Sequence, residues 1–192
     1  MAFTAPYKGH RNADKPYHYV NLREVIKALH PCKVVTLIEA DDQLAIDALA
    51  DRDNTVLCSR DKDLRQVVGA TVYGWELGNQ PSFGPAKIDR IGSVDRKGKG
   101  TGFAFFMAQM IMGDSADNVP GIQGNGPAAA HAILRPIVED DDLTEDEKVA
   151  EMKAAVTTAY QRCYAEYYEE VYEEQATLLW MLRTQPADGD SI

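Results

Sequence analysis

The sequence predicts an α/β fold: a parallel sheet flanked by helices, then two helices joined by a glycine-punctuated turn, then a long acidic helix. Three observations carry this. Short β-branched runs at residues 34–38, 55–58 and 71–73 alternate with stretches of helical spacing, the pattern of a parallel sheet with helices on its faces. Residues 112–134 place Asp114 and Asp117 three apart, punctuate the following turn with Gly121, Gly124 and Gly126, and enter a small-residue helix through Pro127. Thr144 and Glu147 form a capping box ahead of apolar positions spaced three and four apart.

Each element has a local reason. Tyr19, Leu22, Val25, Ile26 and Leu29 recur at helical spacing until Pro31 stops the helix. The run 34–38 is continuous and bounded, so it reads as a buried strand. Helical spacing returns over 41–50 through Leu44, Ile46, Ala48 and Leu49. Residues 55–58 make a second strand, 62–68 a short helix and 71–73 a third strand. Residues 74–100 are rich in Gly and Pro, end in Arg-Lys-Gly-Lys-Gly, and read as a mobile basic loop. Phe103, Phe106, Met107, Met110 and Ile111 define an apolar helix over 102–112. Past the break at Asp140, Asp141 and Asp142, the positions Val149, Met152, Val156, Tyr160, Cys163, Tyr167 and Val171 predict one long amphipathic helix with an acidic outer face.

A chain of 192 residues is long enough for one domain with a real core. It has no apolar stretch of membrane-spanning length and no secretory leader, which predicts a soluble cytoplasmic protein, without a membrane partner. Cys32, Cys58 and Cys163 are far apart and lack C-x-x-C spacing, which argues against a zinc or disulfide framework. Cys32 and Cys58 read as small core residues. The net charge of −10 is local: residues 139–175 carry thirteen acids against Lys148, Lys153 and Arg162, and the remainder is balanced. Residues 1–38 and 87–99 are basic. Phosphate affinity follows local positive patches, so the total does not exclude DNA.

The chemistry lies in three acid clusters. Glu39, Asp41 and Asp42 follow the first predicted strand, Asp61 and Asp63 the second, and Asp114 and Asp117 open the glycine turn. Sites on open parallel sheets gather beyond the carboxyl ends of strands, so the three clusters are predicted to converge. Crowded carboxylates repel unless they share cations, and Mg²⁺ accepts a few carboxylates plus waters. The turn and its following helix offer backbone N–H groups to a phosphate. Taken singly, the first two clusters also read as ordinary helix caps, and the turn as a corner with solvated acids. No Ser-His-Asp or Cys-His pattern is present, and His10, His18, His30 and His131 are scattered.

In order, these segments read Glu-Ala-Asp-Asp (39–42), Ser-Arg-Asp-Lys-Asp-Leu (59–64) and Gly-Asp-Ser-Ala-Asp-Asn-Val-Pro-Gly-Ile-Gln-Gly-Asn-Gly (113–126), preceded by Tyr-Lys-Gly-His-Arg (7–11). Together they resemble the motifs of the 5′-3′ exonuclease and flap endonuclease family, both its phage-type members and the corresponding domain of bacterial DNA polymerase I. The likeness covers roughly residues 6–135. It implies a PIN-like, resolvase-like nuclease core and a helix–hairpin–helix unit that grips duplex backbone through Gly121, Gln123, Gly124, Asn125 and Gly126. It implies a two-metal Mg²⁺ or Mn²⁺ site at Glu39, Asp41, Asp42, Asp61, Asp63, Asp114 and Asp117, with Asp42 in a supporting or capping role. Lys8 would contact the scissile phosphate and Arg11 the neighbouring backbone. Carbonyls of Val119, Ile122 and Gly124 would hold a K⁺ ion that bridges to DNA. The implied organisation is a partial nuclease core over 1–100 with an arch remnant at 1–17, the DNA-binding unit over 101–138, and an acidic helix and tail over 139–192.

The family pattern also begins with two aspartate-bearing strands, and neither precedes Tyr7 here. Three readings follow: a nuclease divided over two polypeptides, a fragment of a longer product, or a shortened relative that binds DNA without cutting. The expected function is metal-dependent 5′-3′ exonuclease or flap endonuclease action on DNA without base specificity, in replication and, for a phage-encoded chain, in the host cytoplasm. The alternatives are a catalytically silent DNA-binding or regulatory module and a protein-interaction module using the acidic helix.

Overall fold

The computed structural model describes residues 4–9 and 14–185. Helix α1 (Tyr19–Leu29) and helix α2 (Ala40–Ala50) precede a small sheet of β1 (Val56–Cys58), β2 (Thr71–Gly74) and β3 (Phe83–Lys87). A 3₁₀ turn, Asp63–Gln66, lies between β1 and β2. A two-stranded ribbon, β4 (Ser93–Val94) and β5 (Gly100–Thr101), leads into α3 (Gly102–Met112), α4 (Pro127–Val138), α5 (Glu145–Tyr164) and α6 (Tyr168–Leu179).

Two apolar clusters hold the elements that follow α1, which itself buries no residue. Ala45, Leu57, Leu64, Val67, Val72 and Ile88 close the sheet against α2, joined by Met181 from beyond α6. The larger cluster centres on α3, in which nine of eleven residues are buried. Around it, Leu134 of α4, Met152, Val156 and Tyr160 of α5, and Val171 and Leu179 of α6 are buried. Burial of a large aliphatic or aromatic side chain contributes about 1.5–3 kcal/mol, so this helical half supplies most of the packing.

Several sequence expectations need correction. Residues 34–38 form no strand; Val34 and Leu37 are exposed, and a β-branched run stays unpaired without a neighbouring ladder. The sheet is mixed: β1 pairs β2 in parallel, but β3 runs antiparallel to β2, so only one parallel pair exists among the described residues. The stretch 74–100 is not one loop, because β3 and β4 lie within it and β5 starts at its end. The long acidic helix is two helices. Ala165 adopts φ 49°, which stops α5, and three residues later α6 starts back along it. Tyr172 and Gln175 thereby return to Tyr160. Cys163 and Tyr167 consequently lie outside, and Cys32 and Cys58 are exposed as well. The capping box is present: Thr144 accepts from the Glu147 amide, and Glu147 returns to the Thr144 amide at 2.8 Å.

No helix among the described residues is long and apolar enough to cross a membrane.

Candidate functional site

Glu39 sits in extended backbone at the N-cap of α2, and Asp41 lies in that helix's first turn, where acids face the positive helix end. Asp61 follows β1, and its carboxylate accepts the Asp63 amide at 3.0 Å; Asp63 starts the 3₁₀ turn. Asp114 leaves the end of α3 by way of Gly113, whose φ of 71° turns the chain out of the helix. A tight backbone bridge between Asp114 and Val119 then folds the segment that carries Asp117.

These segments open on one cavity of about 580 Å³, lined by Glu39, Asp41, Asp61, Asp63 and Asp117 together with Lys8, Lys62 and Ser59. The N-terminal segment crosses its rim. The Lys8 amide donates to the Asp117 carbonyl at 2.9 Å, and its ammonium donates to both Glu39 carboxylate oxygens at 2.5 and 2.6 Å. Asn118 donates to the Pro6 carbonyl at 2.9 Å, which anchors the same segment. Asp114 does not line the cavity; it is buried beneath it, accepting from Lys62, from the Ala116 amide and, at 3.4 Å, from Gln109. Asp42 points elsewhere and accepts the Leu182 amide at 2.8 Å. Arg11 lies outside the described residues.

Crowding of like charge is visible in the acids. Burial pushes the Asp63 carboxyl up to about 6, against the pull of Lys62 and with repulsion from Asp61. Burial and then Glu39 raise Asp41. Burial also raises Asp42, although the Leu182 amide opposes the shift. Burial pulls the Lys62 and Lys8 ammoniums down, but the hydrogen bonds they donate to Asp114 and Glu39 respectively help hold both above their ordinary values. The donor set is all oxygen and suits a hard divalent cation, which would relieve this repulsion. It is not a finished coordination shell: among the described residues no three acids, histidines or cysteines close on one point.

The glycine turn divides into a packed half and an open half. A Cβ on Gly113 would fall 2.4 Å from the Val119 carbonyl oxygen, and one on Gly121 would fall 2.2 Å from the Gly113 amide. Those two glycines allow backbone to cross backbone. Gly124 and Gly126 instead have open space where a side chain would be, so their backbone is approachable from outside. Gln123 and Gly124 are exposed and Asn125 is half-buried. The Val119 carbonyl already accepts from Asp114 and the Ile122 carbonyl from Asn125, leaving each one further lone pair.

Lys62 and the buried pair Gln66 and Gln109 were not singled out from sequence. The available signal was a lone amide at position 109 inside an apolar helix.

No protein-family model matches the chain. Over 129 residues it is 33% identical to DNA polymerase I of Rhizobium leguminosarum, covering 65% of this chain and 12% of that protein. Over 117 residues it is 30% identical to flap endonuclease Xni of Shewanella sp. (strain MR-4), covering 59% of this chain and 43% of that one. Flap endonuclease Xni of Shewanella baltica (strain OS195) is 28% identical over 119 residues. The chain thus spans less than half the length of these flap endonucleases. Two solved structures, the T5 D15 protein co-crystallised with metal ions and the T5 5′-exonuclease with bound zinc, align with TM-scores of 0.47 and 0.48. Both are 18% identical, over 91% of this chain and 77% of each of theirs. In sequence the chain is similar to DNA polymerase I and to the flap endonucleases Xni, in line with the motifs' likeness to the 5′-3′ exonuclease and flap endonuclease family.

Proposed function

We propose that this chain hydrolyses DNA phosphodiesters, without base specificity, as a metal-dependent 5′-3′ exonuclease or flap endonuclease or as a subunit of one. The observation that carries the reading is the cavity itself. Five carboxylates from three separated stretches of chain meet there with Lys8. Glu39, Asp41, Asp61, Asp63 and Asp117 would hold Mg²⁺ or Mn²⁺, with Asp114 and Asp42 behind them. Bound divalent ions lower the pKa of water and stabilise the leaving oxygen. Lys8 supplies a point charge for the scissile phosphate and Arg11 a planar guanidinium for the adjacent backbone. The open backbone at Gly124 and Gly126 serves the duplex, with K⁺ at the Val119, Ile122 and Gly124 carbonyls. In this division residues 1–100 carry the chemistry together with Asp114 and Asp117, 101–138 grip the duplex and 139–192 support both.

We also propose a second polypeptide that completes the sheet. Three features support it. The apolar stripe of α1 (Val20, Leu22, Val25, Leu29) is exposed, residues 34–38 are extended without a ladder, and β1 is an edge strand with Val56 exposed. The alternative, a silent DNA-binding module, is favoured by the lack of a closed carboxylate shell among the described residues.

A divalent-metal titration against a 5′-flap duplex tests the reading, with the chain alone and co-expressed with a polypeptide encoded next to it. Cleavage that rises with Mn²⁺ and is lost in Asp61→Asn with Asp114→Asn supports it. Binding without cleavage in every arm establishes the silent module, and cleavage that survives the double substitution removes these acids from the site.

A further inference from the structure

Helix α3 is apolar except for Gln109, which is fully buried. Its Nε2 donates to Asp63 Oδ1 at 2.6 Å and reaches Asp114 Oδ2 at 3.4 Å. Its Oε1 accepts from Gln66 Nε2 at 2.6 Å, and Gln66 Nε2 also donates to the Leu179 carbonyl at 3.0 Å. Gln66 is itself fully buried, and its Oε1 has no partner. Residues three apart on a 3₁₀ turn share a face, so Asp63 and Gln66 meet the same side of α3.

The direction of this chain is forced. The Leu179 carbonyl can only accept, so Gln66 must turn its NH₂ toward it, and the same NH₂ meets Gln109 while its own oxygen is left over. Gln109 must therefore accept at its oxygen and present its NH₂ to the carboxylates. Reversing either amide sets oxygen against oxygen among buried groups. A buried amide held this firmly fixes which oxygen of Asp63 is occupied, and leaves the other for the cavity.

We propose that Gln109 is a positioning residue for metal binding, a buried amide oriented by Gln66 that sets the carboxylates of Asp63 and Asp114. The proposal rests on the cavity being the metal site. Partners of this kind behind metal ligands typically change affinity about 10–100-fold when removed.

The test uses the whole chain and two readouts, Mn²⁺ affinity by titration calorimetry and thermal midpoint in EDTA. Gln109→Met should weaken Mn²⁺ binding by about 10–100-fold. Gln66→Met with Gln109→Met replaces both amides by apolar groups of similar length; its midpoint should fall, because the Leu179 carbonyl loses its donor, and it should keep the weakened Mn²⁺ binding. A double variant that folds and keeps wild-type Mn²⁺ affinity makes the amides core packing only, and overturns the proposal. Should the double variant not fold, the wild type decides: the Gln109 side-chain amide resonances should shift on Mg²⁺ saturation, and unmoved signals also overturn it. Wild-type protein that binds no Mn²⁺ ends the metal-site reading and this proposal with it; metal binding that is indifferent to Gln109 ends this proposal alone.

Discussion

Removing the hydroxyl of Tyr160 should destabilise the helical half by a predictable amount. Helix α3 ends at Met112, and its last carbonyls need partners from outside the helix. The Ile111 carbonyl accepts the Ile122 amide at 2.8 Å, while the Asp114 amide, which would otherwise serve Met110, is turned to the Val119 carbonyl. Met110 is served instead by the Tyr160 hydroxyl at 2.7 Å, in a fully buried position. Tyr160→Phe keeps the ring and its contacts with Tyr164 and Tyr172, and leaves that carbonyl unpaired. A buried acceptor stripped of its partner costs about 1–3 kcal/mol, and we take about 2. For a domain of this size, each kcal/mol moves the thermal midpoint by about 2–4 °C, giving a fall of about 4–8 °C. Calorimetry of both proteins in the same EDTA buffer reads this directly. A shift below about 1 °C would show that water already reaches the Met110 carbonyl, and the capping argument would be wrong.

Other outcomes follow from the turn and from the acids. Gly124 has φ +80°, where a β-branched residue is strained by about 1–2 kcal/mol, so Gly124→Val should weaken duplex binding equally for unrelated sequences in a gel-shift series. A loss confined to some sequences would contradict backbone recognition there. Asp63 is held at about 6 by burial, above its unfolded value, so the folded state takes up a proton more readily than the unfolded one. Metal-free protein should therefore gain stability as pH falls from above 6 toward the unfolded carboxylate range, and Asp63→Asn should flatten that gain in thermal scans. A steady loss of stability over the same window would refute the direction.

Legibility in the sequence followed from how local each cause was. The capping box needs only Thr144 and Glu147, and the exit from α3 needs only Gly113, so both could be read from a few residues. The order of the acid motifs was readable for the same reason, while the positions they take around the cavity depend on the fold. Residues 34–38 failed because a strand is a property of a ladder, and β-branched composition supplies only one side of it. The antiparallel β3 was hidden by Gly84 and Pro85, residues that argue against a strand interior. The stop at Ala165 has neither Gly nor Pro to announce it; apolar spacing continued across the break because α6 buries Val171 against the same core from the opposite direction. Gln109 was passed over because its neighbours in sequence are apolar and its partners, Asp63 and Gln66, are more than forty residues away.

The end of α6 and the segment after it tie the two halves of the molecule. The Leu179 carbonyl holds Gln66, the Leu182 amide holds Asp42, Arg183 donates to the Gln66 carbonyl, and Gln185 donates to Gln43. These bonds span 113, 140, 117 and 142 positions along the chain. During synthesis every acid of the cavity leaves the ribosome long before the residues that brace Asp42 and Gln66. The nascent chain can form the turn after α3 early, but the bracing of Asp42 and Gln66 waits for residues 179–185. Closing loops of that length costs entropy, so the bracing of Asp42 and Gln66 is expected to form after the local turns.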